Sequence, residues 1–175
     1  FNRINIGYGA NIKKCLNIAY KKKFDYAVML HGDNQYNPKY IYSMIQALNS
    51  NQNISAVCGS RMSKKSKALK GNMPIYKFFG NIFLTYLFNF FFNKKFTDCH
   101  TGYWAYNLKR IKKNVIKNCD DKFCFDIDLR INLVKNKHLI KEIPIDTYYG
   151  TERSSAHIIY AIRFFLKVIL HKFIN

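Results

Sequence analysis

The segment Met29-Leu30-His31-Gly32-Asp33-Asn34-Gln35-Tyr36-Asn37-Pro38 constrains this chain most, because an apolar run stops abruptly in an acidic, turn-forming cluster ahead of a proline. Residues 28–30 suit a buried strand, and Gly32 and Asn34 permit tight backbone geometry. Asn37-Pro38 reads as an N-cap followed by proline at the first helical position. This order holds the Asp33 carboxylate at the carboxyl end of a strand, where open α/β sheets place their ligands. Asp33, Asn34 and Asn37 are also good turn formers in their own right, since such side chains bond their own backbone. Both readings stand at this point.

Apolar periodicity supplies the surroundings. Ile12, Cys15, Leu16 and Ala19 follow the i, i+3, i+4, i+7 rule and predict a helix over 11–22, with a strand over 26–30. Ile41, Met44, Ile45 and Leu48 repeat the spacing, and a strand over 54–58 ends in Gly59-Ser60-Arg61. Strand, helix, strand with loops at the strand ends is a βαβ unit, so we expect a largely parallel sheet covered by helices. Residues 63–71 form a basic polar loop, a solvated surface segment or a lid over a phosphate. Residues 77–92 are strongly apolar, with Lys77, Asn81, Thr85 and Asn89 as a polar stripe; they fall short of the roughly 18 apolar residues of a membrane span and predict a buried or membrane-surface helix. Further on we expect a strand over 103–106, helices over 108–117 and 125–137, and a strand over 139–145. The last helix, 157–173, carries Tyr160, Arg163, Lys167 and His171 on one face and mostly Ile, Phe and Leu on the other. Such a basic amphipathic helix either lies in an anionic headgroup layer or packs its apolar face on the core or a second subunit.

At 175 residues the chain forms one domain, and 49% hydrophobic residues exclude disorder. The net charge of +19 points to an anionic partner: phosphate, acidic lipid or nucleic acid. Part of that excess follows the joint abundance of Lys, Asn, Ile, Phe and Tyr that AT-rich coding produces. The five cysteines are scattered without a CxxC pair, as in a reduced cytosolic protein.

With these pieces in order, the chain resembles family 2 glycosyltransferases of the GT-A fold, in the dolichol-phosphate mannosyltransferase-like, polyprenyl-phosphate glycosyltransferase branch. The residues that carry the resemblance are Asn5-Ile6-Gly7-Tyr8-Gly9-Ala10-Asn11, the segment from His31 to Pro38, Gly59-Ser60-Arg61, Asp98-Cys99-His100-Thr101-Gly102-Tyr103, Phe125-Asp126 and Lys141-Glu142-Ile143-Pro144-Ile145. It implies a Rossmann-like α/β fold with a mostly parallel sheet flanked by helices. Members begin with a strand and helix that hold the nucleotide base, and none precedes Phe1. We therefore expect an N-terminally incomplete transferase domain over 1–155 and a C-terminal amphipathic helix over 156–175.

The resemblance also assigns roles. His31, Asp33 and Gln35 stand where members hold a divalent cation, Mg²⁺ or Mn²⁺, on the donor diphosphate. His31 replaces the first aspartate of that motif; imidazole suits Mn²⁺ better than Mg²⁺, and the alternative is that His31 only supports the site. Asp33 and Asp98 are the candidate catalytic residues, Asp98 as base if the acceptor is a hydroxyl. Arg61 is assigned to phosphate of donor or acceptor, and His100, Thr101, Tyr103 and Arg153 to the acceptor side. Trp104 stands where members carry Arg or Lys. Asp126 and Asp128 read as charges favourable to a helix N-terminus.

The implied reaction is metal-dependent, inverting transfer of a hexose from a nucleotide-diphosphate sugar to a dolichyl or undecaprenyl phosphate. A saccharide-hydroxyl acceptor is the second reading, and a non-catalytic basic module for anionic lipid or nucleic acid the third. Nucleic acid is not the expected partner, because the aromatics lie within apolar periodic segments. We expect a cytoplasmic protein, peripheral at the cytoplasmic face of an anionic membrane, and leave a homo-oligomer open.

Overall fold

The computed structural model describes residues 4–150 and 158–173. In chain order the elements are α1 (Tyr8–Lys21), β1 (Tyr26–Met29), α2 (Tyr40–Ser50), β2 (Ile54–Ser60), α3 (Lys65–Lys70), α4 (Ile75–Phe92), β3 (Trp104–Asn107), α5 (Lys113–Lys117), α6 (Phe125–Lys135), β4 (Leu139–Pro144) and α7 (Ile158–Phe173).

The strands form one four-stranded sheet in the order β1-β3-β2-β4. β2 and β4 pair in parallel, with Cys58 opposite Glu142, whereas β3 runs antiparallel to both β1 and β2. β1, β2 and β4 therefore point the same way, as the βαβ pattern predicts, and β3 is slotted between β1 and β2. Trp104, the first residue of β3, lies opposite both Met29 and Cys58. The chain thus enters β3 from the edge at which β1 and β2 end, bringing residues 98–103 beside the loops that follow those strands.

Side chains of β2 and β3 alternate between two cores, as the period-2 rule requires. Ala56, Cys58, Trp104 and Tyr106 pack with α1, α5 and α6, while Val57 and Ala105 pack with Met44, Ala47 and Leu48 of α2. α6 is buried on all sides. Phe125, Leu129 and Leu133 face the sheet core, and Ile127, Ile131 and Val134 meet Leu84 and Phe88 of α4 and Phe164 and Val168 of α7.

Helix ends depart from the periodicity for local reasons. α1 starts at Tyr8 because Gly9 belongs to its first turn, where a Cβ would lie 2.1 Å from the Asp120 carbonyl oxygen. Ala10 N–H donates to the Asp121 carbonyl at 2.9 Å, so the glycine is a close-approach residue and not a stop. α2 starts at Tyr40, since the Asn37 side chain accepts from Lys39 N–H in a turn instead of capping the helix. The helix expected over 108–117 shrinks to Lys113–Lys117, because Asn107 organises a turn that accepts from Lys109 and Ile111 N–H. The basic segment expected as a loop carries the short helix α3.

α4 is inside out. Its polar stripe faces the protein: Thr85 accepts from Cys99 N–H, and Asn89 bonds both the N–H and the carbonyl of Phe96. Ile75, Tyr76, Phe79, Phe83, Tyr86 and Phe90 are exposed on the other side. α7 does likewise, burying Phe164 and Val168, directing Lys167 to Asp128 at 2.7 Å, and exposing Ile162, Phe165, Leu166, Leu170 and Phe173.

Candidate active site

Three loops meet at the carboxyl edge of the sheet: residues 30–37 after β1, 61–64 after β2, and 97–103 before β3. In the first, Asn34 takes a left-handed φ of 59° and Asp33 Oδ1 accepts from Gln35 N–H at 3.1 Å, so the turn-former reading of this loop is correct. The same turn leaves the Asp33 side chain half exposed, with Oδ2 4.0 Å from His31 Nδ1. Being a turn and presenting a carboxylate are one conformation here.

The His31 ring is held on three sides. Tyr36 packs on it at a centroid distance of 5.4 Å, and Gly102 lies against it so closely that a Cβ there would fall 2.5 Å from Cε1. On the third side the Tyr8 hydroxyl is 3.0 Å from Nε2 and donates to Asp126 Oδ2 at 2.8 Å. Burial lowers the His31 pKa, opposed by the Asp33 charge and assisted by Arg61, which favours the uncharged ring. Burial raises the Asp126 carboxyl to about 7.

Arg61 and Asp98, expected as a phosphate ligand and a base, are paired with each other. Arg61 Nε and Nη2 reach the two oxygens of Asp98 at 2.7 and 2.8 Å, and Arg61 N–H and His100 N–H add bonds of 3.1 and 3.0 Å. Burial would raise the Asp98 pKa, but the Arg61 charge and hydrogen bonds outweigh it and hold the carboxyl down at about 2. A carboxylate bonded by four donors is a poor proton acceptor, so the base role read for Asp98 does not fit. The bidentate edge of Arg61 is likewise engaged, and its Nη1 donates to the Tyr149 hydroxyl at 3.0 Å. Glu142 of β4 steadies the same corner by accepting from Thr97 N–H, Thr97 Oγ1 and Asp98 N–H.

The residues read as acceptor-binding in the 98–103 motif each have partners within the fold. Thr101 is buried and accepts from Tyr103 N–H; Tyr103 is buried and donates to the Asn37 carbonyl. His100 stacks on Phe164 of α7 at 4.3 Å, and burial lowers its pKa to about 3. Its Nε2 has no partner among the described residues. Trp104 and Phe96 each offer a ring to the guanidinium of the buried Arg130 at 4.7 Å, and Arg130 Nη2 donates to the Asp98 carbonyl. Arg153 lies outside the described residues. Asp126 and Asp128 stand in the first turn of α6 as expected, and each has a partner besides the dipole: Tyr8 for one, Lys167 and Asp120 N–H for the other. Tyr8, Asp126, Glu142 and Arg130 were not read as site residues, although three of them lie inside the motifs quoted above.

A strand-end carboxylate beside an imidazole, on an α/β sheet with a buried arginine–aspartate corner, agrees with the family model for glycosyl transferase family 2, which matches residues 1–114. The chain belongs to that family. This transferase is 30% identical over 174 residues to UDP-N-acetylglucosamine--dolichyl-phosphate N-acetylglucosaminyltransferase of Methanococcus voltae, covering 96% of this chain and 66% of the relative. It is 29% identical over 175 residues to an uncharacterized protein of Methanocaldococcus jannaschii, covering 97% and 69%. Among solved structures it resembles glucosyl-3-phosphoglycerate synthase of Mycobacterium tuberculosis in complex with Mn²⁺, UDP and glucosyl-3-phosphoglycerate, with a TM-score of 0.60 and 12% identity over 97% of this chain and 56% of that one. The transferase thus has the GT-A fold and spans about two thirds of its curated relatives and 56% of that solved chain.

Proposed function

We propose that this transferase moves a hexose from a nucleotide-diphosphate sugar to a polyprenyl phosphate, with inversion, at the sheet edge around Asp33. The observation that carries the choice of acceptor is the state of Asp98. A sugar hydroxyl needs a base in order to attack; Asp98, the base read for that reaction, is locked on Arg61 with its pKa at about 2. A phosphate acceptor is already ionised at pH 7 and asks mainly for positioning and charge stabilisation. The dolichyl phosphate in the name of the Methanococcus voltae relative supports this acceptor, and its UDP makes uridine the first donor to test.

A divalent cation fits the corner chemically. His31 Nδ1 and Asp33 Oδ2 lie 4.0 Å apart, within the roughly 4.2 Å that two ligands of one small cation can span. Gln35 belongs to the same turn. Among the described residues no three His, Cys, Asp or Glu side chains converge, so donor oxygens and water would complete the shell. When bound, the ion would neutralise the charge that develops on the leaving diphosphate. Asp33 contributes the carboxylate, and Gly102 and Tyr36 keep His31 beside it.

The same proposal places the protein on the cytoplasmic face of an anionic membrane. α4 has the length and composition to cross a bilayer, yet only 22% of it is buried inside the protein and its polar stripe faces inward. Its exposed aromatic row and the exposed Phe165, Leu166 and Leu170 of α7 offer apolar side chains, and Lys94, Lys95 and Lys172 are exposed as well. Apolar side chains entering the headgroup layer with lysines around them is the pattern of an interfacial helix pair.

The test uses the full-length protein with labelled UDP-hexose or UDP-N-acetylhexosamine and either prenyl phosphate in vesicles or soluble saccharides. The expected result is label in the lipid phase, abolished by chelation. Transfer to saccharide alone would overturn the acceptor assignment.

A further inference from the structure

His31 is oriented from outside its own loop. The Tyr8 hydroxyl, in the first turn of α1, bridges His31 Nε2 at 3.0 Å and Asp126 Oδ2 at 2.8 Å, and Asp126 belongs to α6. Three separate elements are thereby tied together through one phenol. The Tyr8 ring is itself fixed, stacked on Phe123 at a centroid distance of 6.3 Å. Gly102 lies close against the same imidazole: a Cβ there would lie 2.6 Å from His31 Nε2 and 3.4 Å from the Tyr8 oxygen.

A hydroxyl has one proton to give. Above about pH 7, where Asp126 is ionised, the proton donated to its carboxylate leaves the Tyr8 oxygen as an acceptor, and the polar hydrogen that His31 can offer it is Nε2–H. A neutral imidazole protonated at Nε2 carries its lone pair on Nδ1, the nitrogen that faces Asp33 Oδ2 at 4.0 Å. The relay carboxylate, phenol, imidazole has the form by which proteins fix the tautomer of a ligating histidine through its other nitrogen.

We infer that Tyr8 and Asp126 are positioning residues that fix His31 in its Nε2–H tautomer, so that Nδ1 and the Asp33 carboxylate form a mixed nitrogen–oxygen pair selective for Mn²⁺ over Mg²⁺. The inference rests on the metal reading of residues 31–35. It adds the two residues that make a histidine workable at that position and the ion class that follows. Mg²⁺ demands hard oxygen ligands and accepts imidazole poorly, whereas Mn²⁺ tolerates it.

The experiment is performed on the full-length protein at pH 8, with ¹⁵N-histidine NMR for the tautomer and Mn²⁺ or Mg²⁺ titration without any donor. The wild type should show Nε2–H at His31 and paramagnetic broadening of His31 and Asp33 at low Mn²⁺. Tyr8→Phe, which keeps the ring and its stacking, should shift the tautomer toward Nδ1–H and weaken Mn²⁺ binding roughly 10-fold. His31→Asp should remove the preference for Mn²⁺, and Tyr8→Phe should have no effect on metal affinity in that background. An Nδ1–H tautomer in the wild type, or a Tyr8→Phe loss of equal size with and without His31→Asp, would overturn the relay. Nε2–H with no broadening at His31 or Asp33 would overturn the metal reading itself, and with it the inference.

Discussion

Replacing Asp98 by alanine removes the partner of a buried guanidinium, and the structure sets the size of the effect. Asp98 is fully buried, and its two oxygens receive the Arg61 fork, Arg61 N–H and His100 N–H. Breaking a buried pair from one side costs about 3–5 kcal/mol, because the remaining charge is stranded. For a chain of this size that is roughly 6–20 °C in Tm at about 2–4 °C per kcal/mol. The pair also leaves a signature in acid. A carboxyl lowered to about 2 contributes stability that is fully present above the ordinary carboxylate range and is lost as pH falls through the folded value. From an ordinary value near 3.9 this amounts to roughly 2–3 kcal/mol at about 1.4 kcal/mol per pH unit. Urea unfolding monitored by circular dichroism between about pH 7 and pH 2 should therefore show a wild-type acid arm that Asp98→Ala lacks. The double variant Arg61→Met/Asp98→Leu should recover most of the loss, since apolar replacements of whole buried pairs are well tolerated. An Asp98→Ala protein with unchanged Tm and abolished transfer would refute this reasoning and return Asp98 to the role of base.

Asp126 should show the opposite pH dependence: with its carboxyl raised to about 7 by burial, its contribution is full below the ordinary carboxylate range and is lost as pH rises to about 7, so Asp126→Asn should gain on the wild type by a few kcal/mol between about pH 4 and pH 8 in the same unfolding assay. Gly102→Ala should displace the His31 ring, costing at least about 1–2 kcal/mol by overpacking, and should weaken Mn²⁺ binding measured by paramagnetic resonance. Phe79→Ser with Phe83→Ser and Phe90→Ser should leave Tm within a few degrees, because all three side chains are exposed, and should reduce co-sedimentation with phosphatidylglycerol vesicles more than 10-fold, at about 1.5–3 kcal/mol per buried apolar side chain.

What was legible in the sequence was local. The Asp33 turn depends on residues within four positions of one another, and periodicity placed most helices and strands near their observed bounds. The insertion of β3 between β1 and β2 was not legible, because a four-residue strand carries no mark of its direction. Nor were the pairings that decide chemistry. Arg61 and Asp98 are 37 residues apart, and Tyr8 and Asp126 are 118 apart. Each of the four stood inside a recognisable motif, but a motif names residue types and not partners. The resemblance gave Arg61 a phosphate and Asp98, for a hydroxyl acceptor, the part of base; in the structure the two are buried and paired with each other.

The polar stripe of α4 is a pattern whose direction periodicity alone does not give. Lys77, Asn81, Thr85 and Asn89 recur at i+4, and in water such a stripe faces solvent. Here the loop before β3 arrives beside α4 with backbone groups that no strand pairs: Cys99 N–H, Phe96 N–H and the Phe96 carbonyl. Unpaired buried backbone groups cost as much as lost hydrogen bonds, and Thr85 and Asn89 are the side chains that satisfy them. Turning the stripe inward forces six large apolar residues outward, a cost acceptable where the medium outside is apolar. The same choice therefore secures the 96–99 segment that delivers Asp98 to Arg61 and exposes the aromatic row. Building the arginine–aspartate corner and exposing that row are thus two consequences of one helix orientation, and the proposed membrane contact would use the second.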